Sequence, residues 1–203
     1  RDRDGVPIQG NARPGDLKFR DLDNSGTIDD KDRTVIGNPY PDLNLGLNIN
    51  LTYKDFDFST SFYASLGGDN FCNTKFRHTT AKNDFNVFKG VYNSVWREGN
   101  EQNATMPRLS GVDLNGNLSK VSTYFVEDAS FLRCRSMQLG YTVPKKFWGM
   151  SKLRVYASVE NLFVITGYSG QDPEVGGSTL SAGIDNGLYP QPRTYIFGLK
   201  MSF

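Results

Sequence analysis

Residues 193–203, Arg-Thr-Tyr-Ile-Phe-Gly-Leu-Lys-Met-Ser-Phe, carry the pattern that decides the fold. Successive side chains of a β-strand point to opposite faces, so alternation of apolar and polar residues predicts a strand with one apolar and one polar side. The apolar side holds Tyr195, Phe197, Leu199, Met201 and Phe203, and the polar side holds Thr194, Gly198, Lys200 and Ser202. The same stripe recurs earlier in the chain at lengths that suit a bilayer, which is typical of a transmembrane β-barrel.

Residues 43–53 and 56–66 form two further stripes that are separated only by Lys54 and Asp55. In a two-residue hairpin the flanking residues, Tyr53 and Phe56, are cross-strand partners and share a face. Pairing outward from them places the apolar residues of both stretches on one side, and a slip of one residue would destroy this match. Eleven residues at about 3.3 Å each, tilted by about 40°, span about 25 Å, the height of the apolar band of outer-membrane barrels.

A third strand is predicted from about Ser130 to Thr142. Its outward side takes Met137, Leu139 and Tyr141. Arg133 and Arg135 share the outward parity at the start of this strand, where we expect lipid headgroups to accept them.

A fourth strand is predicted from Leu153 to about Val164, and its alternation weakens at Asn161 and Leu162. On the inward side, Arg154 and Glu160 are expected to be partners within the barrel wall rather than ligand-binding groups.

The connections alternate between short ones, at Lys54-Asp55 and 144–151, and long ones, at 67–129 and 165–192. Bacterial barrels have short periplasmic turns and longer extracellular loops. We therefore expect residues 43–203 to hold barrel strands with two extracellular loops, and residues 1–42 to form an extracellular loop region. Five strands cannot close a barrel, and open edges in lipid leave backbone groups unsatisfied, so other strands must come from the same protein.

Composition excludes several other classes of protein. Among the 203 residues, no apolar run approaches the 18 needed for a membrane-spanning helix. The net charge is +1 without any basic block, so a nucleic-acid partner is not expected. The first residues lack the apolar segment of a signal peptide, and we expect the chain to be an internal-to-C-terminal piece of a longer precursor. The two cysteines, Cys72 and Cys134, leave open a single bridge or two free thiols.

Residues 21–32 have the spacing of a calcium-binding loop. Oxygen donors fall at loop positions 1, 3, 5, 7, 9 and 12, namely Asp21, Asp23, Ser25, the Thr27 carbonyl, Asp29 and Asp32. Gly26 stands at position 6, where the loop turns sharply. Asp32 replaces the bidentate glutamate of an EF-hand, as in the shorter dockerin-type loops. We predict a structural calcium site, and the alternative is a solvated Asp/Asn/Gly turn.

No group of residues supports catalysis, so the chain is not expected to be an enzyme. His78 is the only histidine, and no Gly-x-Ser-x-Gly elbow lies near it. Phe85, Phe88, Tyr92 and Trp96 in the same long loop have roughly helical spacing. We favour a packed mini-core for them, and a docking surface is the alternative. In that second case Phe88, Tyr92 and Trp96 are the candidate contacts for a partner or substrate.

Seven short motifs, in this order, resemble the C-terminal barrel of the SusC/RagA-like TonB-dependent outer-membrane transporters of Bacteroidota. They are 15–19 (GDLKF), 37–41 (GNPYP), 126–133 (VEDASFLR), 139–144 (LGYTVP), 160–163 (ENLF), 170–174 (GQDPE) and 189–195 (YPQPRTY). The resemblance extends over essentially the whole chain.

The resemblance implies that these are the last five or so strands of a twenty-two-stranded, multi-pass barrel of the cell outer membrane. It implies import of oligosaccharides or oligopeptides, a SusD-like surface lipoprotein as lid, and energy from TonB through a plug and an N-terminal part that lie outside this chain. The alternating residues from Tyr195 to Phe203 resemble the signal recognised by the barrel-assembly machinery. The competing interpretation is a soluble, surface-displayed calcium-binding β-sandwich that serves as an adhesion or carbohydrate-binding module.

Overall fold

The computed structural model describes residues 8–79, 86–144, 151–176 and 181–202. The chain divides into two compact units, one formed by Arg1–Gly37 and Cys72–Val126, the other by Asn38–Phe71 and Glu127–Phe203. In the part of the chain that is described, no helix is long and apolar enough to cross a bilayer.

The described strands are numbered in chain order: β1 Leu43–Tyr53, β2 Phe56–Leu66, β3 Asp69–Cys72, β4 Val126–Asp128, β5 Phe131–Val143, β6 Lys152–Thr166, β7 Ile184–Asp185 and β8 Thr194–Ser202. The helical elements are short: α1 Asn73–His78, α2 Val91–Ser94, and single 3₁₀ turns at Asp30–Asp32 and Thr123–Phe125.

The second unit contains a five-stranded antiparallel sheet in the order β1-β2-β5-β6-β8. All five predicted strands are present, and β1 and β2 have the predicted bounds, which confirms the all-β prediction. The last predicted residue of β8, Phe203, lies outside the described residues, as does most of the predicted turn at 144–151. A second sheet, in the order β4-β3-β7, forms within the long connections and was not predicted from the sequence.

The register of the hairpin is the predicted one. Tyr53 pairs with Phe56, and Leu47 pairs with Phe62. Lys54 has a φ of +54°, the left-handed backbone conformation that tight hairpin turns use. Tertiary pairing and turn geometry therefore agree, which fixes the outward and inward faces of the first two strands.

One face of the sheet is apolar across all five strands. The row of cross-strand partners at the level of Leu51, for example, consists of Leu51, Phe58, Leu139, Ala157 and Phe197. Leu51, Leu139 and Phe197 of this row are 59%, 52% and 82% exposed. An apolar surface of this extent is unfavourable in water and suits a hydrocarbon environment.

The alternation of β5 and β6 is interrupted at one level by a pair of β-bulges. Ser136 pairs with Ser61 of β2, whereas Phe62 pairs with Cys134, so β5 contains one extra residue at Arg135. On the other side, Ser136 and Cys134 pair with Glu160 and Phe163, so β6 contains an extra residue relative to β5. Because a bulge shifts the phase by one residue, inward and outward positions exchange beyond it.

The bulge corrects the predicted orientation of two arginines. Arg133 pairs with Tyr63, whose hydroxyl donates to the inward-facing Asn44 at 2.8 Å. Arg135 places its guanidinium 4.1 Å from the centre of the Tyr63 ring. Both side chains therefore lie on the inward face and do not point toward lipid headgroups.

Polar and small groups on the apolar face are covered locally. Thr60 is 6% exposed, and its hydroxyl donates to the Ser136 carbonyl at 3.0 Å. Cys134 lies in one row between Phe62 and Phe163, whose ring centres are 6.4 Å apart. Cys134 and Cys72 are both buried and free, so the structure contains two thiols instead of a bridge.

Candidate functional site

Three carboxylates of the predicted calcium loop converge. Asp21, Asp23 and Asp32 each offer an oxygen within 4.8 Å of the others. Asn24 and Gly26 have φ values of +58° and +84°, and these left-handed conformations produce the tight turn between the first two ligands and the rest of the loop.

Backbone N–H groups orient the converging carboxylates. Asp21 Oδ2 accepts from the Gly26 N–H at 2.9 Å, and Asp32 accepts from the N–H groups of Leu22 and Asp29 at 2.7 and 2.8 Å. The side chain and the backbone N–H of Ser25 lower the pKa of Asp23 below its usual value. Asp23 is therefore held in the ionised form, which is the state that binds metal ions.

The other predicted ligands have different roles in this structure. Asp29 Oδ1 accepts from the Lys31 N–H at 2.8 Å and caps the 3₁₀ turn Asp30–Asp32, so Asp29 is not among the converging carboxylates. The Ser25 hydroxyl donates to the Thr27 carbonyl at 3.1 Å. The Ser25 hydroxyl and the Thr27 carbonyl therefore lie in the loop but bond to each other, and Asp29 bonds to the loop backbone.

A buried polar network in the first unit supports the segment that precedes this loop. Asp16, whose side chain is 1% exposed, accepts from Arg108 Nε at 2.7 Å and from Asn117 Nδ2 at 2.6 Å. Burial acts to raise the pKa of Asp16, but hydrogen bonds from Asn117, the Arg13 N–H and Arg108 outweigh it and lower that pKa. Gly15, at φ +86°, lies against the Trp96 indole, where a Cβ atom would collide. This gives a physical reason for the Gly-Asp pair of the 15–19 motif.

The aromatic residues of the long loop separate into packed and exposed members. Trp96 packs on Gly15, whereas Phe88 and Tyr92 are 50% and 70% exposed. The predicted mini-core is therefore wrong for Phe88 and Tyr92. Phe85 lies outside the described residues.

Within this part of the chain the described buried apolar side chains are Cys72, Val91, Val95, Leu118 and Phe125. The Phe76 ring meets Phe125 edge-on at 5.0 Å. Periodicity alone did not distinguish these residues from their exposed neighbours.

His78 is half-buried, and its Nδ1 donates to the Asn86 carbonyl at 3.0 Å. Neither set forms a catalytic arrangement among the described residues.

The inward face of the sheet carries an ion pair that spans three strands. Arg154 of β6 reaches across β5 to Asp57 of β2, with Nε 2.9 Å from Oδ1 and a second contact through Nη2. Gly140 of β5 lies beneath this pair, and a Cβ atom there would meet both charged groups. On the other side of β6, Tyr156 pairs with Gly198 of β8, and the Tyr156 ring lies over this second glycine. The expected pairing of Arg154 with Glu160 is thus wrong, because the missing side chain at Gly140 opens a path to Asp57.

A second charged group at the opposite end of the sheet was missed by sequence reasoning. Arg133 is 4% exposed, and its Nη2 donates to Asp172 Oδ1 at 2.6 Å. Its Nε lies 3.3 Å from Glu174 as an ion-pair contact without hydrogen-bond geometry. The sequence Asp-Pro-Glu at 172–174 offers two carboxylates as partners for an arginine. The prediction that Arg133 faces outward excluded this pairing.

The apolar side of β8 is exposed along its whole described length. Tyr195, Phe197, Leu199 and Met201 are between 51% and 82% exposed. β8 pairs only with β6, so its other edge is free within the described sheet. The exposed stripe and the unpaired edge coincide on the strand for which a barrel-assembly signal was predicted.

Comparison with known proteins gives a consistent set of relatives, although no family model matches the chain. The chain is 33% identical over 208 residues to the TonB-dependent receptor P3 of Formosa agariphila, covering 97% of this chain and 20% of that protein. It is 34% identical over 199 residues to the TonB-dependent receptor SusC of Bacteroides thetaiotaomicron, covering 95% and 18%. The chain thus spans about a fifth of the length of the curated relatives it matches.

Solved structures agree with these sequence matches. The RagAB peptide importer in its closed-closed state aligns with a TM-score of 0.66 and 25% identity, over 81% of this chain and 18% of that chain. The open-open state aligns with a TM-score of 0.63 over 80% and 17%.

Proposed function

We propose, because this chain belongs to the SusC-like family of TonB-dependent receptors, that the complete protein imports oligosaccharides or oligopeptides across the outer membrane. The observation that carries the proposal is the five-stranded sheet with one apolar and one polar face. The chain that holds it matches a TonB-dependent receptor over 95% of its length and a solved importer over 81%. In this proposal the sheet is part of the barrel wall, with the apolar face toward lipid and the polar face toward the lumen.

The proposed partners are TonB, a SusD-like surface lipoprotein, and the remaining strands and plug of the same protein. The names of the relatives support TonB as a partner, and the likeness to the RagAB importer supports a second partner protein. The exposed Phe88 and Tyr92 of the first unit are candidate contacts for the lipoprotein, because aromatic side chains often anchor interfaces. The proposal assigns transport and not catalysis to the protein.

Uptake by living cells tests this function. Cells carrying the intact gene, a deletion of it, or a deletion of TonB are given a labelled mixture of oligosaccharides or of peptides. We expect accumulation of one mixture to require both the gene and TonB, and the protein to co-purify with a lipoprotein. Accumulation that persists without TonB contradicts the proposal, and accumulation that needs TonB but not this gene assigns import to another receptor.

We also propose that the loop at 21–32 binds Ca²⁺ in a structural role. Three converging carboxylates, one of them with a lowered pKa, fit a hard cation that prefers oxygen ligands. Asp21, Asp23 and Asp32 would hold the ion, and Ser25, the Thr27 carbonyl and Asp29, the last through water, would complete the set. The bound ion would neutralise the repulsion between these carboxylates and fix the loop.

A further inference from the structure

The paired bulges of β5 and β6 form a cleft of about 290 Å³ on the inward face. Arg133, Arg135 and Ser136 line it from β5, and Glu160 and Asn161 line it from β6. The cleft lies at the end of the sheet from which the long connections depart, since β6 ends at Thr166 and β5 begins at Phe131. Bulges commonly re-aim side chains beside functional sites.

The backbone of this cleft contains an outlier. Asn161 is a non-glycine residue with φ +51°, and its amide donates to the Pro192 carbonyl at 3.1 Å. That bond holds the segment before β8 against β6, and Gln191 of this segment also lines the cleft. The surrounding structure therefore maintains a left-handed residue at the point where the polar side chains converge.

Two charged groups of the cleft are incompletely paired. Arg135 is 48% exposed, and its Nη2 donates one long hydrogen bond of 3.3 Å to Glu174, a carboxylate that also contacts Arg133. Glu160 is exposed and has no ion-pair partner among the described residues. A guanidinium with one long contact and a carboxylate without an ion-pair partner thus face the same small space, together with the amides of Asn161 and Gln191.

The lining of the cleft discriminates between classes of ligand. No aromatic side chain lines it, and the Tyr63 ring beneath is covered by the guanidinium of Arg135. A neutral sugar would find no ring to stack on, whereas a molecule that carries both charges would pair with Arg135 and with Glu160. The volume is near the lower limit of about 300 Å³ for ligand pockets, so it suits a short segment rather than a long oligomer.

We propose that this cleft binds the charged ends of short peptides, with the terminal carboxylate at Arg135 and the terminal ammonium at Glu160. The proposal rests on the proposed import function and narrows its substrate class. A peptide carboxylate would displace the long contact between Arg135 and Glu174, and the ammonium would supply the partner that Glu160 lacks.

Binding of capped peptides to the purified full-length protein, together with any lipoprotein that co-purifies, tests this assignment. The probes are trialanine with free ends, N-acetyl-trialanine, trialanine amide and a trimer of galacturonic acid. We expect each cap to weaken binding to the wild type about tenfold, because each removes one charge-assisted contact. Glu160→Gln should abolish the effect of the acetyl cap only, and Arg135→Gln the effect of the amide cap only. Lys200→Gln, an inward charge outside the cleft, should leave both effects unchanged.

Several results would overturn the assignment: no binding of trialanine, equal binding of free and capped forms by the wild type, or the same response of both variants to both caps. Tighter binding of the galacturonic acid trimer, lost in Arg135→Gln, would assign the cleft to acidic glycans instead. Uptake in the same variants separates this inference from the proposed function. If uptake needs TonB but caps have no effect, only the cleft assignment fails; if uptake does not need TonB, the import function fails.

Discussion

At the scale of single residues, Gly140 is the clearest position at which the structure requires a glycine. Its position between β2 and β6 lets Arg154 and Asp57 meet across an intervening strand. An alanine methyl group there would occupy the space of the guanidinium and the carboxylate. The pair would then separate, leaving two charges on the wall without their nearest partners.

We predict that Gly140→Ala destabilises the full-length protein by about 1 to 3 kcal/mol, the usual cost of overpacking a filled site. Gly46→Ala is the matched control, since Gly46 also lies on the inward face and a Cβ atom there meets nothing within 4 Å. Thermal unfolding in detergent measures both. Equal midpoints for the two variants would show that the space above Gly140 is not required.

The calcium loop gives a second prediction at this scale. Asp23→Asn should weaken Ca²⁺ binding by the full-length protein at least tenfold, because it removes one of three converging carboxylates. Asp30→Asn is the control, as Asp30 is exposed, pairs with Arg33 and lies outside the converging set. Isothermal titration with Ca²⁺, repeated with Mg²⁺, measures the effect. Equal affinity in the two variants contradicts the proposed ligand set.

The pH dependence of this site follows from the lowered pKa of Asp23. A carboxyl group with a depressed folded-state pKa contributes stability above its unfolded-state pKa, about 3.9, and loses that contribution as pH falls through the lower value. Asp23 alone would therefore keep the loop competent for Ca²⁺ to below pH 4.

At the scale of elements, the β1-β2 hairpin could be predicted completely and β5 only in part. Alternation, a two-residue turn and an apolar match fixed the register of the hairpin before the structure was known. In β5 the same argument held from Met137 to Tyr141 and failed at Arg133, because nothing in the alternation of a single strand reveals where an extra residue will be accommodated. The weakened pattern at Asn161 and Leu162 was the one visible sign of it.

The hairpin provides a prediction about the two faces. Leu47 lies on the apolar face and is 55% exposed, whereas Asn48 lies on the polar face beside Ser61. Leu47→Arg should destabilise the protein in a bilayer by about 2 to 4 kcal/mol, the cost of a cation near the midplane, and Asn48→Arg should cost about 1 kcal/mol or less. Denaturant unfolding in lipid vesicles compares them. A larger effect at position 48 would reverse the assigned faces.

The candidate calcium site shows the corresponding limit for a loop. Spacing identified Asp21, Asp23 and Asp32, which converge, because ligand positions in such loops follow from the turn at Gly26. Spacing also placed Asp29 in the set, but this residue caps the following 3₁₀ turn and lies outside the converging carboxylates, so the proposal gives it a role only through water. Capping competes for the same type of side chain, and the sequence Asp29-Asp30-Lys31-Asp32 is compatible with both roles.

At the scale of the whole molecule, the five-stranded sheet has two edges, β1 and β8, each with one neighbour. In lipid, unpaired N–H and C=O groups cost several kcal/mol each, so these edges need partners beyond the strands of the described sheet. Within the described sheet, only β2, β5 and β6 have a hydrogen-bonded neighbour on both sides.

Hydrogen exchange in detergent provides the prediction at this scale. In the isolated chain, amides of β1 and β8 should exchange at least tenfold faster than those of β2 and β5, and in the complete protein the difference should disappear. The comparison of the two proteins is its own control. Uniform protection in the isolated chain would mean that its edges pair with each other or with a second copy.

The extra residue at Arg135 also bears on how such a wall could diverge. An insertion before this point, balanced by a deletion after it, would slide the bulge along β5 without altering the rest of the strand. Moving it two positions toward the start would exchange Cys134 and Arg135 between the lipid and the lumen. A lineage could thus revise the charge of the inward face through a compensated pair of length changes, provided that the residue moved to the apolar face is not a cation.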